Sequence, residues 1–159
     1  MSETETARSS ESYWADFLSE TGRAEDTPLY DVFHFDDNER DADELAALVL
    51  RGTKRATASL QCEYGDDSKR APMPGDLSVV TTWAGAPVCI IETTAVDVTG
   101  FDDVDEDFAA AEGEGDGSLR HWREVHEAYF GRVCERLGRE PSDGMPVVCE
   151  RFRVVYPER

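Results

Sequence analysis

The chain has 159 residues and a mass of 17.7 kDa, the size of one ordinary domain. Its 16 Lys and Arg against 35 Asp and Glu give a formal charge of −19, while 40% hydrophobic residues supply enough apolar surface for a core and exclude a wholly disordered chain. The longest apolar run, Ala86 to Ile91, is far short of the roughly 18–20 residues of a membrane span, and residues 1–12 lack the basic start and apolar block of a secretory signal, so no membrane partner and a cytoplasmic location are expected.

In chain order, residues 1–12 read as a disordered acidic lead and residues 13–159 as a single domain. Tyr13, Trp14, Phe17 and Leu18 recur at helical spacing and predict a short helix ending at Gly22. Beyond Pro28 lie the apolar Tyr30, Val32, Phe33 and Phe35, and DADELAALVL, Asp41 to Leu50, predicts a helix ending before Gly52. The Ala-rich GTKRATASL, residues 52–60, predicts another helical turn or two. Leu77 to Thr82 and Val88 to Val98 predict a hairpin turning at Ala84 to Pro87. Residues 101–117 are acidic and punctuated by glycine, with no element expected. Ser118 is a natural N-cap for a helix running to Leu137, with Leu119, Trp122, Val125, Phe130 and Val133 on one apolar face. Val147 to Tyr156 alternates as a last strand. Strands with appended helices, without βαβ alternation, predict an α+β fold with a small, mixed or largely antiparallel sheet or barrel.

Several chemistries are excluded by spacing. Neither a P-loop nor a G-x-G-x-x-G dinucleotide turn is present. His121 and His126 are five apart, a separation that diverges on a helix, so no zinc pair is expected. The carboxylates Asp102, Asp103, Asp105, Glu106, Asp107, Glu112, Glu114 and Asp116 do not fit an EF-hand and read as a solvated face. No metal site and no cofactor are expected, with a divalent cation in that stretch as the alternative. The four cysteines are far apart; Cys89 and Cys149 sit in apolar runs and read as buried thiols.

The basic residues are 14 Arg and only two Lys, and they are unevenly placed: residues 1–117 hold 8 basic and 28 acidic side chains, residues 118–159 hold 8 and 7. The acidic excess suggests a surface hydrated in molar salt, where the Debye length is about 3 Å and self-repulsion costs little. A polyanion would be drawn to the C-terminal stretch, through Arg120, Arg123, Arg132, Arg151 or Arg153, unless these are simply solvated. Lys54 stands out because lysine, unlike arginine, can be tuned into a base, and Thr57 three residues on would share its side of a helical turn. A solvated lysine is the plain alternative. Glu92 interrupts the most apolar strand, so it is either a buried carboxylate in need of a partner or an outward residue on an alternating strand.

The segments GTKRATASL, PGDLSVV, PVCIIETT, FDDVDEDFAAAEGEGDGSLRHWREVHEAYF and MPVVCERFRVVY resemble the ASCH domain family of the PUA-like superfamily, in its longer type bearing EGEGD, over about residues 30–156. The resemblance implies a small β-barrel flanked by helices, with a cleft for RNA or a modified nucleoside. Some relatives hydrolyse the amide of N4-acetylcytidine with a Lys, a Thr and a Glu; others of the longer type act as ribonucleases. It transfers Lys54 and Thr57 through the G-x-K-x-x-T element and Glu92 by its place on the strand after the hairpin. It also draws Ser118, Trp122, Arg123 and Tyr129 into substrate binding, with a capping Ser118 and a core Trp122 as the alternatives. The expected function is an RNA- or nucleoside-binding domain that hydrolyses RNA, the alternatives being N4-acetylcytidine amidohydrolysis and RNA binding without catalysis.

Overall fold

The structure, a computed structural model, describes residues 8–65 and 69–158. Five strands, β1 (Asp31–Phe33), β2 (Ala56–Leu60), β3 (Leu77–Thr81), β4 (Pro87–Gly100) and β5 (Pro146–Tyr156), form one sheet in the order β1-β3-β4-β5-β2. β1 runs parallel to β3, and the other neighbours are antiparallel. The long β4–β5 ladder runs from Ile90 opposite Tyr156 to Gly100 opposite Pro146, with register shifts at Ile90/Ile91 and Thr93/Ala95. Such irregularities bend a strand and add twist, and the sheet curls into a half-barrel whose two edge strands, β1 and β2, face one cavity.

Helices cover the sheet. α1 (Ser10–Thr21) starts at Ser9, whose side chain accepts from Ser12 N, and stops at Gly22 in the left-handed region, φ 70°. It lays Tyr13, Phe17 and Leu18 on Leu77, Val79 and Ile90. α2 (Glu39–Arg51), capped by Asn38, packs Ala46 and Val49 on Val80, Ile91 and Phe152. Every residue of β3 is buried, since Val79 faces the α1 cluster and Val80 the α2 cluster. A strand covered on both faces reads as a continuous apolar run. α3 (Glu106–Glu112) and α4 (Leu119–Leu137) close the other end, where Phe108, Trp122, Phe130 and Val133 pack on Ala56, Leu60 and Val147. Burying a side chain such as Phe130 contributes about 1.5–3 kcal/mol.

The mixed α+β architecture, the β3–β4 hairpin, the final strand and the Ser118-capped helix match the sequence expectations, and Cys89 and Cys149 are buried. Three local readings need correction. Residues 56–60 are a strand, because pairing of Ala56 through Leu60 with Arg151 through Val147 outweighs the modest helical preference of alanine. The stretch 101–117 contains α3, capped by Asp105 and held by buried Phe108, Ala109 and Ala111. α1 begins at Ser10, so residues 10–12 of the expected lead are helical, while residues 1–7 lie outside those described. Among the described residues no helix is long and apolar enough to cross a membrane.

Candidate functional site

Gly52, at φ 83°, turns the chain back at the end of α2 so that the N–H groups of Thr53 and Lys54 both donate to Leu48 O, at 3.0 and 3.1 Å. Arg55 N then donates to Ala111 O at 2.7 Å, and Phe152 N to Arg55 O at 3.1 Å. This clamp between α3 and β5 directs Lys54 inward, leaving it 2% exposed. Its Nζ donates to Ala56 O at 2.8 Å, lies 3.6 Å from Glu112 Oε2 and 3.8 Å from Glu114 Oε1, and stands 5.3 Å from the centre of the Phe35 ring.

The glutamates arrive by close backbone packing. Gly113, φ 64°, passes so near the Lys54 loop that a Cβ would sit 2.2 Å from Thr53 O, and at Gly115, φ 58°, one would sit 2.4 Å from His121 Nε2. The alternation in EGEG therefore seats the backbone through its glycines and aims Glu112 and Glu114 inward. α4 adds His126, whose Nδ1 donates to Trp122 O at 2.8 Å while its ring stacks on Trp122 at 4.2 Å and 15°. That bond fixes the ring so that Nε2 faces the carboxylates, 3.2 Å from Glu112 Oε2 and 4.0 Å from Glu114 Oε2.

The electrostatics of this cluster divide its two acids. Burial alone would raise the Glu112 carboxyl, but the Lys54 ammonium and His126 outweigh it and hold it well below the usual range. Burial raises Glu114 to about 7, with the charge of Glu112 adding to the rise and Lys54 opposing it. His126 is raised: burial works against its charged form, and Glu112 and Glu114 overcome that. One acid is fixed as a carboxylate and the other exchanges its proton near neutrality, the separation expected where two carboxyls take different roles. Neither oxygen of Glu112 has a well-directed hydrogen bond among the described residues, so its compensation is mainly ionic.

The cluster forms the floor of a pocket of about 170 Å³. β2 contributes Thr57, Ala58 and Ser59, β5 contributes Glu150, and β1 with its flanks contributes Tyr30, Phe33 and Phe35. Tyr64 and Tyr129 complete the aromatic wall. A cavity of roughly 150 Å³ accommodates benzene, so this one suits a single six-membered ring.

Of the residues singled out from sequence, Lys54, Thr57 and Tyr129 line the pocket. Lys54 and Thr57 reach it from a loop and a strand, not from one helical turn. Glu92 does not line it: it lies on β4 opposite Arg153, whose Nη2 donates to Glu92 Oε1 at 2.7 Å on a solvent-facing part of the sheet. Ser118 caps α4, accepting from His121 N at 3.1 Å. Trp122 is 2% exposed and packs beneath His126, and Arg123 Nη2 donates to Asp102 O at 2.9 Å; none of these three reaches the pocket lining. Glu112, Glu114 and His126 escaped the sequence reading, which placed both glutamates on a solvated face. The signal for them was the glutamate–glycine alternation directly after the apolar FAAA.

Glu112, Glu114 and His126 place one ligand atom each within 4.8 Å of one another, an oxygen-rich set that could hold a divalent cation. The Lys54 ammonium stands 3.6 and 3.8 Å from those same carboxylates, so an ion there would sit against a fixed positive charge. The trio fits its lysine better than a metal.

The ASCH domain family model matches residues 31–156. No curated protein matches the chain. Among solved structures, the chain is similar to an ASCH domain from Lactobacillus crispatus JV V101, with 40% identity and a TM-score of 0.84 over 92% of this chain and 93% of that one. Protein EF3133 from Enterococcus faecalis V583 is 30% identical, with a TM-score of 0.82 over 94% and 95% of the two chains. The hypothetical protein PH0355, 15% identical with a TM-score of 0.51 over 79% and 96%, shares the fold alone. With the matched segment spanning every strand of the sheet and both walls of the pocket, the chain belongs to the ASCH domain family.

Proposed function

We propose that this ASCH domain binds RNA or a modified nucleoside in the pocket between β1, β2 and α4, and that it hydrolyses an amide on the bound base. The observation that carries this reading is the pairing of Lys54 and Glu114, 3.8 Å apart, on a ring-sized cavity that Thr57 also lines. Thr57 Oγ1 attacks the amide carbonyl carbon while Glu114, as carboxylate, takes the hydroxyl proton. Lys54 already donates to Ala56 O and faces two carboxylates, so its remaining N–H groups suit the developing oxyanion better than proton removal. Collapse of the adduct breaks the C–N bond as Glu114 passes its proton to the leaving amine. Water, activated by the same carboxylate, then releases the acid from Thr57. Glu112 remains ionised and anchors Lys54 and His126. In this scheme Glu114 takes the carboxylate role that the resemblance gave to Glu92.

Charge favours an amide over a phosphodiester. Asp31, Asp36, Glu112, Glu114 and Glu150 line the pocket against Lys54 and His126. The arginines expected to meet a polyanion are engaged within the chain: Arg120 with Glu124, Arg123 with Asp102 O, Arg132 with Asp37, Arg151 with Asp107 and Arg153 with Glu92. Phosphate binding draws on free basic groups and weakens steeply with salt.

The test is incubation with N4-acetylcytidine and, separately, with single-stranded RNA in high salt, with and without EDTA. Acetate release by the wild type, lost in Thr57→Ala and in Glu114→Gln with nucleoside binding retained, supports the amidohydrolase. Strand cleavage that survives Thr57→Ala replaces it with a nuclease driven by the substrate 2′-OH. Retention of RNA without either product leaves a binding module.

A further inference from the structure

Glu150 on β5 stands opposite Thr57 on β2 in the antiparallel ladder, so the two side chains share a face of the sheet, and both line the pocket. Its Oε2 accepts from Thr93 Oγ1 at 2.7 Å. Unlike Glu112 and Glu114, it has no lysine, arginine or histidine at ion-pairing distance among the described residues. The charges that act on it are Asp76 and Asp31, of its own sign; burial and then these aspartates push its carboxyl up, against the bond from Thr93. A largely buried carboxyl without a positive partner is a costly arrangement in a folded chain. It becomes favourable if a ligand brings the missing charge.

The pocket wall is suited to supply the rest of such a contact. Phe33, Tyr64 and Tyr129 present aromatic surface, and a cation near an aromatic face gains electrostatic attraction that grows on desolvation. Lys54 is already engaged by Glu112 and Glu114, which leaves Glu150 as the carboxyl in the pocket still lacking a cation. Asp31 and Asp36 are matched by Lys69 and Arg132.

We infer that Glu150 selects the ligand by charge: the pocket takes a flat ring with a positively charged or amine-bearing edge, which Glu150 meets through Oε1, and turns away an anion of the same shape. This rests on the reading of the pocket as a site for a ring and adds the sign of charge that the ring carries. For a nucleobase it means that cationic, alkylated rings are held more tightly than their neutral parents.

The test uses three ring probes of one size, benzylammonium, benzyl alcohol and benzoate, titrated into the full chain and followed by NMR shifts of Tyr64 and Tyr129. The expected order is cation, then neutral, then anion, with the first two separated by about tenfold. Glu150→Gln reduces that ratio to near unity while benzyl alcohol still binds, and Glu92→Gln, outside the pocket, leaves it intact. An unchanged ratio in Glu150→Gln, or benzoate binding as tightly as benzylammonium in the wild type, overturns the charge selection alone. Failure of all three rings to shift either tyrosine overturns the ring site itself and the charge selection with it. Acetate release is not among the readouts, so loss of the hydrolytic reading leaves this result standing.

Discussion

Two ion pairs in this molecule invert the usual ranking by distance. Arg153 and Glu92 meet at 2.7 Å on the outer part of the β4–β5 ladder, with side-chain exposures of 67% and 26%, whereas Lys54 and Glu112 stand 3.6 Å apart at 3% and 1%. The closer pair is shielded by water and salt and contributes about 0–1 kcal/mol. The wider pair is desolvated, so each partner depends on the other to be tolerated in the interior. Separation alone does not rank ionic contacts; the water removed from around them does.

The largest effect that sharpens this contrast is expected from Lys54→Met, which leaves Glu112 buried beside His126 alone. A loss of about 3–5 kcal/mol in chemical denaturation follows from stranding a buried charge, and adding Glu112→Gln recovers part of it because the two residues act as one unit. Additive losses in the double variant would break the account. Next is Gly113→Ala: the left-handed backbone and the 2.2 Å approach to Thr53 O force the Lys54 loop and α3 apart. This change costs about 1–3 kcal/mol and, by separating Lys54 from the glutamates, lowers any hydrolytic turnover along with stability. Retention of both by this variant would count against the close-packing explanation of EGEG.

A smaller effect concerns pH. Glu114, raised from 4.5 to about 7, binds its proton more tightly when folded, so its stabilisation is complete below about 4.5 and lost as pH rises through about 7. His126 adds a loss of the same sign above 6.5. Glu112 acts oppositely, its contribution being present above 4.5 and lost well below that. Thermal midpoints measured between about pH 5 and about pH 8 should fall for the wild type and fall less for Glu114→Gln; parallel curves would remove Glu114 from the explanation. The smallest effect is that of Glu92→Gln, below about 1 kcal/mol and vanishing in molar salt. A loss there as large as that of Lys54→Met would erase the distinction between the two pairs.

Much of the framework was legible because its signals are local. Ser118 with the apolar face of α4, the β3–β4 hairpin, which turns between Thr82 and Ala86, and the alternation of Val148, Phe152 and Val154 each report short-range signals. Residues 56–60 misled because their partner strand lies some ninety positions away, at 147–151, and pairing rather than propensity sets their state. Glu92 was open to two readings in sequence, and Glu114 misled. For the first, an apolar neighbourhood left burial and an outward position both open, and alternation on β4 faces it outward to Arg153. An acidic neighbourhood suggested exposure for the second, yet the left-handed glycines on either side turn it inward.

The sequence by itself determined the α+β composition, the positions of most helices and strands, and the standing of Lys54 as one of two lysines among fourteen arginines, since each depends on residue type and short-range spacing. Only the tertiary structure decided which carboxylates meet that lysine. Burial and pairing are properties of surfaces brought together from β1, β2, β5, α3 and α4, and the approach of Lys54 and His126 that separates Glu112 from Glu114 takes place only once those surfaces have closed.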